Sequence, residues 1–294
     1  MYTQSIFIVK EYIELKIVHT IAEARAIIKE WKKDGFSIGL VPTMGYLHEG
    51  HKSLIDKSAK DNDKTVVSIF VNPIQFGANE DLASYPRDLE RDARVCESAG
   101  ADLIFNPTPE EMYFPDFSTY IDAGDIQKEL CGKSRPTHFR GVCTVVAKLL
   151  NIITPDRAYF GQKDAQQLAV VKRMVRDLSI DVEIVGCPIV RENDGLAKSS
   201  RNVYMNTEER QAAAVINRAL KIGREMIEEG EYSSQKITEA IKEEIMKEQC
   251  TKIDYIQVVS YPSIKPIEKI EKPALVAAAV YVGKTRLIDN FIIK

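Results

Sequence analysis

The chain has 294 residues, enough for one large domain or two smaller ones around a substantial core. Forty basic against 43 acidic residues leave a formal charge of −3, which argues against a general polyanion-binding surface and still allows a local basic pocket. Lys10 and Glu11 interrupt the apolar opening at Ile6, so it cannot serve as the core of a secretion signal, and no stretch approaches the ~20 apolar residues of a membrane helix. A soluble cytoplasmic protein is expected.

Ile21, Ala24, Ile27, Ile28 and Trp31 recur at helical spacing and predict a helix over 20–33. The apolar run 37–41 reads as a buried strand, 51–60 as a helix, and 65–71 as the next strand. Asp88 is placed to N-cap a helix over 88–98, ended by Gly100, before the short strand 103–105. A helix over 141–153, a strand over 157–160, a helix over 165–178 and a strand over 182–190 complete the first part. Such alternation predicts an α/β fold with a mostly parallel sheet covered by helices on both faces. After the turn-like stretch 191–195 the texture changes. Helices over 208–229 and 234–247 precede strands over 253–260, 274–281 and 285–290, which predicts a smaller α+β domain over 191–294 following a first domain over 1–190.

Polar clusters fall just after the apolar strands, at 42–51, 72–77, 161–167 and 191–202. Ligands of open α/β sheets collect beyond the carboxyl ends of strands, so these clusters are candidates for one crevice. His48-Glu-Gly-His51 is the most informative of them. Two imidazoles three residues apart at the start of a helix share a face beside free N–H groups and the positive end of the helix, a natural place for phosphate. At least one of them is a candidate imidazolium at an attacked phosphate. The alternative is a structural hydrogen-bond donor, with Gly45 and Gly50 merely shaping the loop.

Gln75 can give a donor and an acceptor to a hydroxylated acid, although on these residues alone a turn of ordinary polar residues is the better reading. Lys163 can neutralise phosphate; Asp164 can meet ribose or a metal, or cap the helix that follows; Gln167 lies on the same helical face. Lys198-Ser-Ser-Arg201 offers an ammonium, two hydroxyls and a guanidinium that suit terminal phosphates and departing pyrophosphate, or else forms an exposed linker. The basic stretch 133–141, with Arg135, His138 and Arg140, reads as a loop that binds an anion or is pinned by acidic neighbours. Ser199 is not an acylating nucleophile, because no G-x-S-x-G elbow exposes it. Neither a P-loop nor a G-x-G-x-x-G element occurs. The five cysteines are scattered, lack C-x-x-C spacing and read as buried thiols, Cys143 most clearly.

Pro42-Thr-Met-Gly-Tyr-Leu-His-Glu-Gly-His51, Asn72-Pro-Ile-Gln-Phe-Gly77, Tyr85-Pro-Arg87, His138-Phe-Arg-Gly-Val142, Gly161-Gln-Lys-Asp164 with Gln167, Asp194 through Asn202, and Thr285-Arg-Leu-Ile-Asp-Asn290 occur in this order. Together they resemble the pantothenate synthetase (pantoate–β-alanine ligase) family, an adenylate-forming branch of the nucleotidyltransferase-like superfamily. The resemblance covers nearly the whole chain after residue 35. It implies a Rossmann-like N-terminal catalytic domain, a smaller C-terminal lid and a homodimer. It also implies condensation of (R)-pantoate with β-alanine through pantoyl adenylate, using ATP and Mg2+. The negative net charge, the lack of a basic stripe interleaved with aromatic residues and the lack of a long apolar run separately predict no nucleic-acid and no membrane partner.

By the same resemblance, Met44, Gly45, Tyr46, Leu47, His48, Glu49, Gly50 and His51 match ATP-contacting positions, as do Gly161, Gln162, Lys163, Asp164, Val190, Lys198, Ser199, Ser200 and Arg201. His48, His51, Lys163, Ser199, Ser200 and Arg201 are the expected catalytic group, and Gln75 and Gln167 the expected substrate contacts. Tyr46, Gln162 and Lys198 depart from the family's commonest residues, and Lys198 adds positive charge near the expected phosphates. The competing readings are adenylyl transfer to another acid or cofactor precursor, and a catalytically silent nucleotide-binding protein.

Overall fold

The structure is a computed structural model that describes residues 15–78 and 80–294. Six parallel strands form one sheet in the order β1 (Lys16–Val18), β4 (Leu103–Phe105), β3 (Lys64–Ile69), β2 (Ile38–Thr43), β5 (Arg157–Gly161), β6 (Glu183–Cys187). Side chains alternate across a strand, so β2 serves both faces. Ile38 and Leu40 pack with α1 (Ile21–Lys33), α6 (His138–Ile153) and α7 (Ala165–Asp177), whereas Val41 packs with α2 (Glu49–Asp61) and α3 (Leu89–Ser98). That two-sided burial explains why the central strands read as near-continuous apolar runs. The short helices α4 (Pro109–Met112) and α5 (Cys131–Ser134) lie in the connection from β4 to α6.

The C-terminal sheet is antiparallel, in the order β7 (Thr251–Ser260), β8 (Ala274–Val282), β9 (Thr285–Ile293). Alternate residues of β8 face different neighbours. Leu275 and Ala277 join the main core of the parallel sheet, while Val276, Ala278 and Val280 pack with α9 (Val215–Glu228) and α10 (Ser234–Ile245). The second sheet is therefore bonded to the first by shared apolar packing, at roughly 25 cal/mol per Å² of apolar surface removed from water. No helix among the described residues is long and apolar enough to cross a membrane.

The structure departs from the sequence expectations in four places. Strand β1 has no counterpart in the reading of the sequence; its three residues carry too little pattern to register and it exists by pairing with β4. The helix expected over 208–229 is two, α8 (Thr207–Ala212) and α9, because tighter bonds from Ala214 N–H to Gln211 O (3.4 Å) and from Ile216 N–H to Ala213 O (3.2 Å) break the helical ladder. The strand expected over 182–190 ends at Cys187, before Pro188, which has no N–H for a ladder. The basic loop expected over 133–141 is instead the end of α5, a short turn over 135–137 and the first turn of α6.

Candidate active site

Strand order reverses at β2, from which the chain passes to β3 on one side and later returns to β5 on the other. The crevice beyond the carboxyl ends of β2 and β5 is thus the topological switch point. A cleft lies there, lined by Pro42, Thr43 and Met44 after β2, by His48, Gly50 and His51 at the start of α2, and by Asn72, Gln75 and Phe76 after β3. Gly161, Lys163, Asp164 and Gln167 line it after β5; Pro188, Ile189 and Val190 and then Lys198, Ser199, Ser200 and Arg201 close another side. Val142, Val145, Val146 and Leu149 of α6, with Phe70, make an apolar inner wall.

His48 is the N-cap of α2 and His51 its third residue. The Gly50 N–H donates to His48 Nδ1 (3.1 Å) and the His48 N–H donates to His51 Nδ1 (3.3 Å), with the two rings 4.0 Å apart. Each Nδ1 accepts, so in the neutral ring the proton sits on Nε2. The donors at the start of the helix are in this way handed on through the imidazoles, which present N–H groups of their own. Gly50 is required by space: a Cβ there would lie 2.8 Å from the His48 ring.

Burial pushes His48 down to about 4, and Lys163, Lys198 and Arg91 reinforce the shift. His51 is held well below the usual histidine range by burial and then by His48. The imidazolium expected at an attacked phosphate is thus not the resting state of either ring. Both rings are neutral donors at pH 7, because a cation here would be desolvated, would face other cations and would lose its Nδ1 acceptor.

The cations of the cleft differ in how far they are engaged. Lys163 Nζ lies 3.8 Å from Asp164 Oδ2, too long for a hydrogen bond. Lys198 sits between Glu49 (3.0 Å) and Glu192 (2.8 Å), so much of the positive charge it was expected to add is already balanced. Arg201 is forked onto both oxygens of Asp81 (2.9 and 2.8 Å), and Arg135 is paired with Glu80. Arg135 Nη1 also approaches His138 Nε2 (3.1 Å), so that ring accepts at Nε2 and donates from Nδ1 to the Gln75 carbonyl (2.9 Å). Burial, and then Arg135, push His138 down to about 4. Arg140 stands apart, stacked on Tyr120.

The Tyr113 hydroxyl donates to Asn72 Oδ1 (2.7 Å), and Asn72 Nδ2 donates to Gln75 Oε1 (3.0 Å). This chain orients Gln75 with its amide nitrogen turned away from Asn72, where it donates to Met44 Sδ at 3.0 Å. Ser199 caps the turn Ser200–Tyr204 through the Arg201 N–H, and Ser200 Oγ donates to the Tyr46 carbonyl (3.2 Å). Asp164 precedes α7 without capping it by its side chain, which leaves its carboxylate facing the cleft.

Of the residues singled out from the sequence, Met44, His48, Gly50, His51, Gln75, Gly161, Lys163, Asp164, Gln167, Val190, Lys198, Ser199, Ser200 and Arg201 all line this one cleft. Gly45, Tyr46, Leu47, Glu49 and Gln162 stand outside the lining. The Tyr46 and Leu47 N–H groups donate to Asp92 (2.7 and 2.6 Å), the Tyr46 ring lies under Arg91, and Leu47 is core. Sequence reasoning missed the α6 wall and Asp92, neither of which it singled out. The spacing of Asp92 from the 44–47 loop carries no signal.

A parallel sheet with a cleft at its switch point, two imidazole donors at a helix start and a cation-rich far wall defines a nucleotide-handling α/β enzyme, and comparison with known proteins makes this specific. The family model for pantoate-beta-alanine ligase matches residues 16–292. Pantothenate synthetase of Clostridium acetobutylicum is 60% identical over 277 residues, covering 94% of this chain and 99% of that protein. The crystal structure of pantothenate synthetase from Thermus thermophilus superposes with a TM-score of 0.89 at 45% identity, covering 94% of this chain and 98% of that one. Pantoate-beta-alanine ligase from Francisella tularensis, complexed with beta-gamma ATP and beta-alanine, superposes with a TM-score of 0.79 at 35% identity over 95% of this chain and 98% of that one. The chain belongs to the pantoate–β-alanine ligase family.

Proposed function

We propose that this protein condenses (R)-pantoate with β-alanine at the expense of ATP, giving pantothenate, AMP and pyrophosphate. The observation that carries the reading is the convergence of four separated polar clusters on one switch-point cleft in a chain of this family. In the first half-reaction a pantoate carboxylate oxygen attacks the α-phosphorus; the bond to the β-phosphate oxygen breaks and pyrophosphate leaves. In the second, the β-alanine amine attacks the acyl carbon of pantoyl adenylate, the bond to AMP breaks, and the amine gives up a proton as the amide forms.

His48 and His51 donate from Nε2 to oxygens at the α-phosphate, supplying preorganised dipoles where charge develops. Lys163, with Ser199, Ser200 and Arg201, holds the departing pyrophosphate; Gly161, Val190 and the main chain around Met44 border the nucleotide. Gln75 and Gln167 take pantoate against the α6 wall, which excludes water from the adenylate. Residues 191–294 act as the lid domain, through the 198–204 segment that closes one side of the cleft.

Magnesium fits this site as a partner of the triphosphate. The described residues contain no group of three or more His, Cys, Asp or Glu able to hold a metal alone, and among them Asp164 is the one carboxylate lining the cleft. Mg2+ commonly takes one or two carboxylates with substrate phosphates and keeps waters, so Asp164 would hold it. Bound there, it neutralises phosphate charge. Five free cysteines agree with a reducing, cytoplasmic setting. A homodimer belongs to the same proposal and is read by light scattering.

The test is to incubate the protein with ATP, Mg2+ and pantoate, with and without β-alanine, and to follow pyrophosphate while mass spectrometry identifies products. Pantothenate only in the complete mixture, with pantoyl adenylate when β-alanine is omitted, is the expected result. Pyrophosphate release with another acid and none with pantoate would favour the adenylyl-transfer reading instead. Tight ATP binding without turnover would favour the silent one.

A further inference from the structure

Lys163 sits in the three-residue turn Gln162–Asp164, which has no side-chain cap at either end. The turn is tied down from the other sheet. Asn290 Nδ2, from β9, donates to the carbonyls of both Gln162 (3.1 Å) and Lys163 (2.8 Å). Carbonyls only accept, so the amide nitrogen must face them. That orientation leaves Asn290 Oδ1 buried without a partner, a cost that ordinary packing would have relieved.

The preceding residue, Asp289, grips the opposite wall. Its carboxylate takes a two-pronged bond from Arg191 (2.6 and 3.0 Å), and its Oδ1 also accepts the Asn290 N–H (2.7 Å). Arg191 donates further to the Gly195 carbonyl (2.9 Å), and the Lys198 N–H returns to the Val190 carbonyl (3.0 Å). One dipeptide of the C-terminal sheet thus holds the Lys163 turn directly and, through Arg191, the segment that leads to Lys198 and Arg201.

We propose that Asp289 and Asn290 are positioning residues for adenylation, fixing the Lys163 turn against the Lys198–Arg201 segment. The proposal rests on the reading that Lys163 contacts the triphosphate. Neither residue needs to touch substrate; each acts through main chain that bears a group which does, and a displacement near 1 Å at such a group is enough to slow a reaction about a hundredfold.

The test is a double-mutant cycle in the full-length protein with Asn290→Ala, Lys163→Ala and the pair, reading kcat and KM for ATP from pyrophosphate release. Asn290→Ala alone is expected to lower kcat/KM for ATP about tenfold, the scale of losing such bonds. On a Lys163→Ala background it should cost less than about twofold, because the group it positions is gone. Independent, multiplying effects would overturn the proposal, as would wild-type ATP kinetics in either single variant. Asn290 is buried, so Arg191→Lys, which keeps the charge and loses the fork, supplies a second variant on a partly exposed side chain. It is expected to lower kcat/KM for ATP severalfold, and an unchanged value refutes the role of Asp289. Amide hydrogen exchange over 161–165 separates this proposal from the function itself. A wild-type protein that makes no pantothenate sinks the functional reading, while unchanged exchange in Asn290→Ala sinks the clamp.

Discussion

Gly141 is where α6 touches the substrate-facing turn, and replacing it by alanine has a calculable consequence. Its φ is not in the left-handed region, so the argument is one of space alone. A Cβ at 141 would lie 2.5 Å from the Ile74 carbonyl oxygen, 2.6 Å from Gln75 Cα and 2.7 Å from Gln75 N. Ordinary contact begins at 3.4 Å, so backbone must move by about 0.9 Å. These are main-chain atoms of the turn Pro73–Gln75, which cannot swing aside as a side-chain tip can. Overpacking of this kind costs roughly 1–3 kcal/mol. Alanine recovers about 1 kcal/mol of helix propensity, leaving a net loss of roughly 0–2 kcal/mol. Catalysis should suffer more than stability. The Gly141 carbonyl also accepts from Asn72 Nδ2 (3.2 Å), so the shift disturbs the chain that orients Gln75. We expect Gly141→Ala to melt only a few degrees lower, to raise KM for pantoate at least tenfold, and to leave ATP binding within about twofold. Steady-state kinetics with each substrate varied, beside a thermal melt, reads all three. Unchanged pantoate kinetics would show that the α6 contact does not place Gln75.

Two further outcomes follow from the electrostatics. Lys198→Met should change KM for ATP by less than about threefold, because Glu49 and Glu192 already engage the ammonium and such partly exposed pairs contribute about 0–1 kcal/mol; a tenfold loss in an ATP titration would contradict that balance. The buried histidines set a pH window for stability. Above 6.5 neither folded nor unfolded chain protonates them; between 6.5 and about 4 the unfolded chain takes up protons at His48 and His138 and the folded one does not. Stability from these groups therefore falls as pH drops, by about 1.4 kcal/mol per unit for each, and levels off below about 4. Urea midpoints across about pH 7.5 to 4.5 should show the decline, and a His138→Gln variant that folds should show a shallower one; an equal slope would mean that His138 is not held neutral.

Local pattern made most elements legible in the sequence. Apolar spacing marked α1, α6 and α7, Asp88 marked the start of α3, and the buried runs marked β2, β3 and β8, because periodicity and capping are set by neighbours in the chain. The polar clusters after the strands, and through them most of the cleft lining, were legible for the same reason. The chain order could not say that β5 returns beside β2, which is what brings residues near 48, 75, 163 and 200 to one crevice. Nor could it assign the proton on His48, which depends on where Gly50 N–H points and on how much water the fold removes. Asp92 beneath the 44–47 loop and Asn290 against Gln162 are contacts across 45 or more positions, decided by how sheets and helices stack. Hydrogen-bond direction and desolvation are properties of assembled neighbours, and only the tertiary structure supplies them.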